Sequence, residues 1–71
     1  MAAEMITVRS TNIRAIGWDS VSSTLYVKFT SNAHYAYAPV SEATFKAFLK
    51  ASSKGQYFAK NIRDKYQTHR L

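Results

Sequence analysis

The chain has no cysteine, a single proline, two glycines and only four carboxylates, and each scarcity removes something. Without cysteine there is no disulfide framework, no thiolate nucleophile and no thiolate metal ligand. With so little proline and glycine, collagen-like and low-complexity classes are out. No apolar run approaches the roughly 20 residues of a membrane-spanning helix. The opening Met1-Ala2-Ala3-Glu4-Met5 lacks the basic and apolar stretches of a signal peptide, so a cytoplasmic location without membrane attachment is expected. Side chains for acid–base or metal chemistry are few: Glu4, Asp19, Glu42, Asp64, His34 and His69. Asp19 is accounted for by a turn, Glu42 by a helix start and Asp64 by its neighbours Arg63 and Lys65. None of the six forms a spacing that holds a metal or activates a hydroxyl, so neither catalysis nor a cofactor is expected.

What is present is enough to fold. Of the 71 residues, 46% are hydrophobic and 14% aromatic, well above disordered segments. That length makes one domain, residues 1–71, which buries only about 60% of its unfolded surface. The net charge of +6 is unevenly placed. Residues 1–45 balance Arg9, Arg14 and Lys28 against Glu4, Asp19 and Glu42. Residues 46–71 set Lys46, Lys50, Lys54, Lys60, Arg63, Lys65 and Arg70 against Asp64 alone. A one-sided basic field favours a polyanionic partner; the plainer alternative is a positive face that only keeps the protein soluble.

Periodicity divides the chain in two. After a loose lead-in over residues 1–5, Met5–Val8 and Ile13–Trp18 read as strands, with a turn at Asp19–Ser23. Leu25, Val27 and Phe29 then alternate with Thr24, Tyr26 and Lys28, the pattern of a half-buried strand. Thr30–Ala33 turns the chain, with Asn32 suited to a left-handed conformation. His34–Ala38 is a further strand, with Tyr35 and Tyr37 on one face. Strands so closely linked form an antiparallel meander of three or four.

Past Pro39 the period becomes helical. Ser41 is a helix N-cap, Val40 and Phe45 stand at staple positions, and Phe45, Phe48 and Leu49 make an apolar stripe. Ser52–Gly55 closes this helix, with Gly55 expected in the left-handed position. A second helix is predicted over Gln56–Tyr66, burying Phe58, Ile62 and Tyr66, before a frayed tail at 67–71. Strands followed by helices predict an α+β fold: a three- to four-stranded antiparallel sheet with two C-terminal helices on one face.

Two features could bind a ligand. Tyr35 and Tyr37 could stack on unpaired bases if exposed, or pack against a helix. Ser53-Lys54-Gly55 precedes the second helix, where free N–H groups, a cation and a close backbone approach would suit a phosphate; a plain helix cap is the alternative. Lys60 and Arg63 would extend such a site, or simply be solvated. Trp18 is expected in packing.

Gly17-Trp18-Asp19, Leu25-Tyr26-Val27-Lys28-Phe29, Tyr35-Ala36-Tyr37, Pro39-Val40, Ser53-Lys54-Gly55-Gln56-Tyr57-Phe58 and Ile62-Arg63, in this order, resemble the KTSC domain family. That family is named after the C-terminal extension of some lysyl-tRNA synthetases and includes small free-standing bacterial and phage proteins. The resemblance spans about residues 6–70. It departs at Ala59, where the family usually has Asn, and at Asn32-Ala33, where a glycine is common. It implies RNA binding, from the synthetase context. The expected function is a non-catalytic module for RNA or another phosphate-bearing nucleotide, through Tyr35, Tyr37, Ser53, Lys54, Gly55, Lys60 and Arg63. The alternatives are a phage-type protein that sequesters a signalling nucleotide or blocks a host protein as an anti-defence device, and a protein–protein interaction domain. A nucleotide sponge would need a closed pocket between subunits, hence a homo-oligomer.

Overall fold

A computed structural model of the chain describes residues 4–71, so most of the predicted lead-in, residues 1–3, lies outside the described residues. Five antiparallel strands form one sheet in chain order: β1 (Ile6–Thr7), β2 (Ile13–Asp19), β3 (Thr24–Phe29), β4 (His34–Ala38) and β5 (Gln67–Arg70). Two helices, α1 (Glu42–Lys50) and α2 (Lys54–Asn61), lie between β4 and β5 in sequence. The expected α+β class and meander are therefore present.

Local chemistry explains the elements. Asn32 and Ser23 take positive φ, 70° and 54°, in the turns that flank β3. Ser41 caps α1 by accepting from the Thr44 N–H at 3.2 Å, and Ser53 caps α2 from the Gln56 N–H at 3.4 Å. Trp18 joins sheet to helix: its Nε1 donates to the Val40 carbonyl at 2.7 Å, and its ring stacks on Phe45 with centroids 6.0 Å apart. This contact fixes the entry of α1. Ser41→Ala is expected to cost about 1 kcal/mol, which for a domain this small lowers Tm by about 4–8 °C in a calorimetric scan.

Register decides which residues face the helices. Leu25 pairs with Trp18 and Tyr37, and Val27 with Ile16 and Tyr35. Side chains directly opposite on neighbouring strands share a face. Ile13, Ile16, Leu25, Val27 and Tyr37 therefore lie together, and Val40, Phe48, Phe58 and Ile62 close over them as the core.

Four expectations need correction. The sheet has a fifth strand: residues 67–70 are not a frayed tail but pair with β4, Tyr35 opposite Arg70 through Ala38 opposite Gln67. The free edge of β4 exposes backbone groups that need partners, and this segment supplies them. The second helix runs Lys54–Asn61 rather than Gln56–Tyr66, because Ser53 already caps its start and Ile62, its φ stretched to −119°, is its C-cap. Gly55 is consequently a helical residue of α2, not a left-handed cap; neither glycine has positive φ. The first strand is two residues long, not four.

Candidate functional site

Two connections meet at the end of the sheet where β2 begins. Residues 8–12 join β1 to β2, and residues 51–53 join α1 to α2. The first is shaped by its own hydroxyls: Ser10 Oγ donates to Asn12 Oδ1 at 3.1 Å and accepts from the Asn12 and Ile13 N–H groups at 3.4 Å. The Asn12 carbonyl accepts from the Thr30 N–H at 3.0 Å, tying this loop to the turn after β3. A Cβ on Gly55 would come within 3.0 Å of Asn12 Oδ1. Glycine there allows the start of α2 to approach the loop closely.

Between the two connections lies a cleft of about 230 Å³, lined by Arg9, Ser10, Thr11, Ser52, Ser53, Lys54 and Gly55. Its described lining holds two cations and four hydroxyls, with no carboxylate and no aromatic ring. Lys54 Nζ spends one donor on the Ala51 carbonyl at 2.8 Å, leaving two of its three for a ligand. Ser53 Oγ accepts from Gln56 N–H, so its own O–H remains a free donor. The first N–H groups of a helix have no partner within it and carry the positive end of its dipole. Arg9 is exposed at the rim, and a guanidinium binds phosphate oxygens in pairs. All of this chemistry suits an anion.

The structure brings together only part of the predicted site. Ser53, Lys54 and Gly55 line the cleft. Lys60 is exposed six residues along α2, about 9 Å further by helical rise. Arg63 lies past the helix end, its Nε 3.6 Å from an Asp64 oxygen in an exposed pair that contributes little. Tyr37 is only 3% exposed and meets Phe58 edge-on with centroids 5.5 Å apart. It cannot stack on a base, because the helices cover the face it occupies. Tyr35 is half-buried on that face, edge-on to Phe29, with the Arg70 guanidinium carbon 6.0 Å from its centroid. Arg9, Ser10, Thr11 and Ser52 were missed. Arg9 was hidden by a first half of zero net charge, although Arg9-Ser10-Thr11 is an uninterrupted polar run between two strands.

Tyr37 leaves a mark on pH dependence. Burial, with a smaller push from neighbouring Tyr35, raises its phenol from the usual 10 to about 12. The unfolded chain loses this proton near pH 10 and the folded one near 12, so stability is full below 10 and falls as pH rises between them. By pH 11.5 the loss amounts to about 1–2 kcal/mol, solvent screening taking part of the full effect. Urea denaturation at pH 9 and pH 11.5 measures it, and Tyr37→Phe is expected to remove much of the difference.

The KTSC domain signature matches residues 9–66, most of the chain. A protein from Stutzerimonas stutzeri (strain A1501), described only as uncharacterized, is 34% identical over 53 residues spanning 75% of each chain. The crystal structure of a KTSC domain protein from Yersinia pestis superposes with a TM-score of 0.95 at 30% identity, covering 99% of both chains.

Proposed function

The chain belongs to the KTSC domain family, and we propose that it is a non-catalytic binding module whose partner is RNA or another phosphate-bearing nucleotide chain, met in the cytoplasm. The observation that carries this reading is the cleft between residues 9–12 and 51–55. Arg9 and Lys54 supply charge, Thr11, Ser52 and Ser53 supply hydroxyls, Ser10 holds the loop in shape through Asn12, and the start of α2 supplies backbone donors. With no ring to stack a base and no carboxylate to orient a sugar among the described lining residues, the cleft holds phosphate rather than base. Lys60, exposed on α2, and Arg63, exposed just past its end, are further cations that a longer chain could reach.

At about 230 Å³ the cleft is smaller than the ~300–1,000 Å³ sites that enclose whole small ligands. A phosphate of a longer chain suits it better than a sequestered free nucleotide. The test is fluorescence anisotropy of a labelled single-stranded 12-mer RNA at 50 mM salt, with mononucleotides and cyclic nucleotides as competitors. Saturable binding that Arg9→Glu weakens supports the reading. No binding to single-stranded RNA, single-stranded DNA or tRNA at that salt overturns it.

A further inference from the structure

Among the described residues, the helices cover one face of the sheet and no helix or strand lies upon the other. Register identifies what that open face carries. Tyr26 pairs with Gly17 on one side and Ala36 on the other, and Ala36 pairs in turn with His69. One strand step away, Lys28 pairs with Ala15 and His34. Gly17, Tyr26, Ala36 and His69 therefore form one row across the face, and Ala15, Lys28 and His34 the next. Tyr26 is the single tyrosine of the strands on this side; its neighbours in the row are the two smallest residues available. On the Gly17 side the space is taken by Glu4 and Met5, whose carbonyl oxygen and sulfur lie 2.7 and 2.8 Å from where a Cβ would stand. The ring is thus bounded toward β1 and open toward β4 and β5, where His34 and His69 are exposed.

The lysine of this face, Lys28, lies toward the cleft, with His34 opposite it. Lys28 and His34 sit at the end of the sheet where the Asn12 carbonyl meets the Thr30 N–H, the same end that the cleft occupies. Arg14, exposed, is the extra residue where the β2–β3 register shifts between Ile13 and Ala15, next to this end. Asp19 is at the far end of β2, and its Oδ1 accepts from the Val21 N–H at 2.9 Å. A chain leaving the cleft over this end meets Lys28 first and the Tyr26 ring two residues further along β3, about 7 Å on.

We infer that the uncovered sheet face is a stacking platform for the bases of a single-stranded nucleic acid whose phosphate occupies the cleft. Tyr26 is the stacking ring, Lys28 contacts the following phosphate, and His34 and His69 flank the neighbouring bases. The inference rests on the phosphate reading of the cleft and adds what that site cannot supply, a surface for bases. Unpaired bases are required because a paired base presents no free π face to a flat sheet, and stacking tolerates any base.

Anisotropy with a labelled 12-mer RNA and ring-selective NMR of the tyrosines together test it. Stacking contributes about 1–3 kcal/mol per base, so Tyr26→Ser is expected to weaken binding about fivefold or more, with Tyr26→Phe retaining it. Lys28→Glu is expected to weaken it too, and Tyr26 ring resonances to shift on saturation while those of buried Tyr37 do not. If Tyr26→Ser fails to fold, the ring shift in the unaltered protein decides. Binding that Arg9→Glu abolishes but that leaves the Tyr26 ring unmoved and tolerates Tyr26→Ser overturns the platform and leaves the cleft reading standing. Dependence on Tyr26 and Lys28 without dependence on Arg9 overturns the cleft reading, and with it the proposal that one strand spans cleft and platform. Tighter binding to duplex than to single strand, or no binding at all, overturns the platform.

Discussion

Phe48→Ala, which truncates the largest fully buried side chain among the described residues, is expected to cost about 3–5 kcal/mol. Phe48 is 0% exposed, is the one fully buried residue of α1, and stacks on Tyr57 of α2 with centroids 5.4 Å apart. It joins both helices to the sheet, so removing the ring leaves a cavity that three elements would have to move to fill. Total stability for a chain of this length is about 4–10 kcal/mol, so the variant sits near the edge of folding at 25 °C. Urea denaturation followed through Trp18 checks it, because that indole packs on Phe45 of the same helix. A loss below about 1 kcal/mol would show that α1 is not the lid of this core. Lys46→Ala on the outer side of α1 is the control: its pairing with Glu42, at 3.6 Å and well exposed, contributes little.

The second large effect is on binding. If Arg9, Lys54, Lys60 and Arg63 each neutralise one phosphate, the slope of log K against log salt is about −2.8 for a single strand, four times the ~0.7 per contact. Raising salt from 50 to 200 mM then weakens binding about 50-fold. Arg9→Glu is expected to weaken low-salt binding and to flatten the slope by about 0.7, because a phosphate contact has gone. Lys54→Ala is less clean, since Lys54 Nζ also holds the Ala51 carbonyl at the end of α1. Anisotropy titrations at four salt concentrations measure slope and affinity together. A flat salt response would remove the phosphate reading and favour a protein partner, whose apolar contacts survive high salt.

The relation between sequence and fold is instructive at β4. Alternation places Tyr35 and Tyr37 on the same side of a strand, but it is silent on which side the helices will cover. Only pairing answers that: Tyr37 opposite Leu25 and Tyr35 opposite Val27 put both tyrosines on the covered side. By the same pairing Tyr26, on the polar side of the clearest alternating strand, becomes the tyrosine on the open face. Of the two readings of these rings, stacking or packing, Tyr37 takes packing outright and Tyr35 in part, for a specific reason. A period of two defines two faces without naming them.

Everything governed by neighbours along the chain was legible in the residues themselves. The α+β class, the β3 and β4 strands, the left-handed Asn32, the caps Ser41 and Ser53 and the burial of Phe48, Phe58 and Ile62 all follow from local propensity and periodicity. Tertiary structure alone decided the rest. Gln67-Thr68-His69-Arg70 has no apolar alternation and becomes a strand because the β4 edge leaves backbone groups to be paired. Arg9-Ser10-Thr11 and Ser52-Ser53-Lys54-Gly55, some forty residues apart, form one cleft because the sheet and the two helices bring their connections to the same end. Such a cleft depends on distant segments meeting, which no local pattern records. The opening scarcity of carboxylates acquires its meaning there: the described walls are cations, hydroxyls and backbone, with nothing to repel an anion.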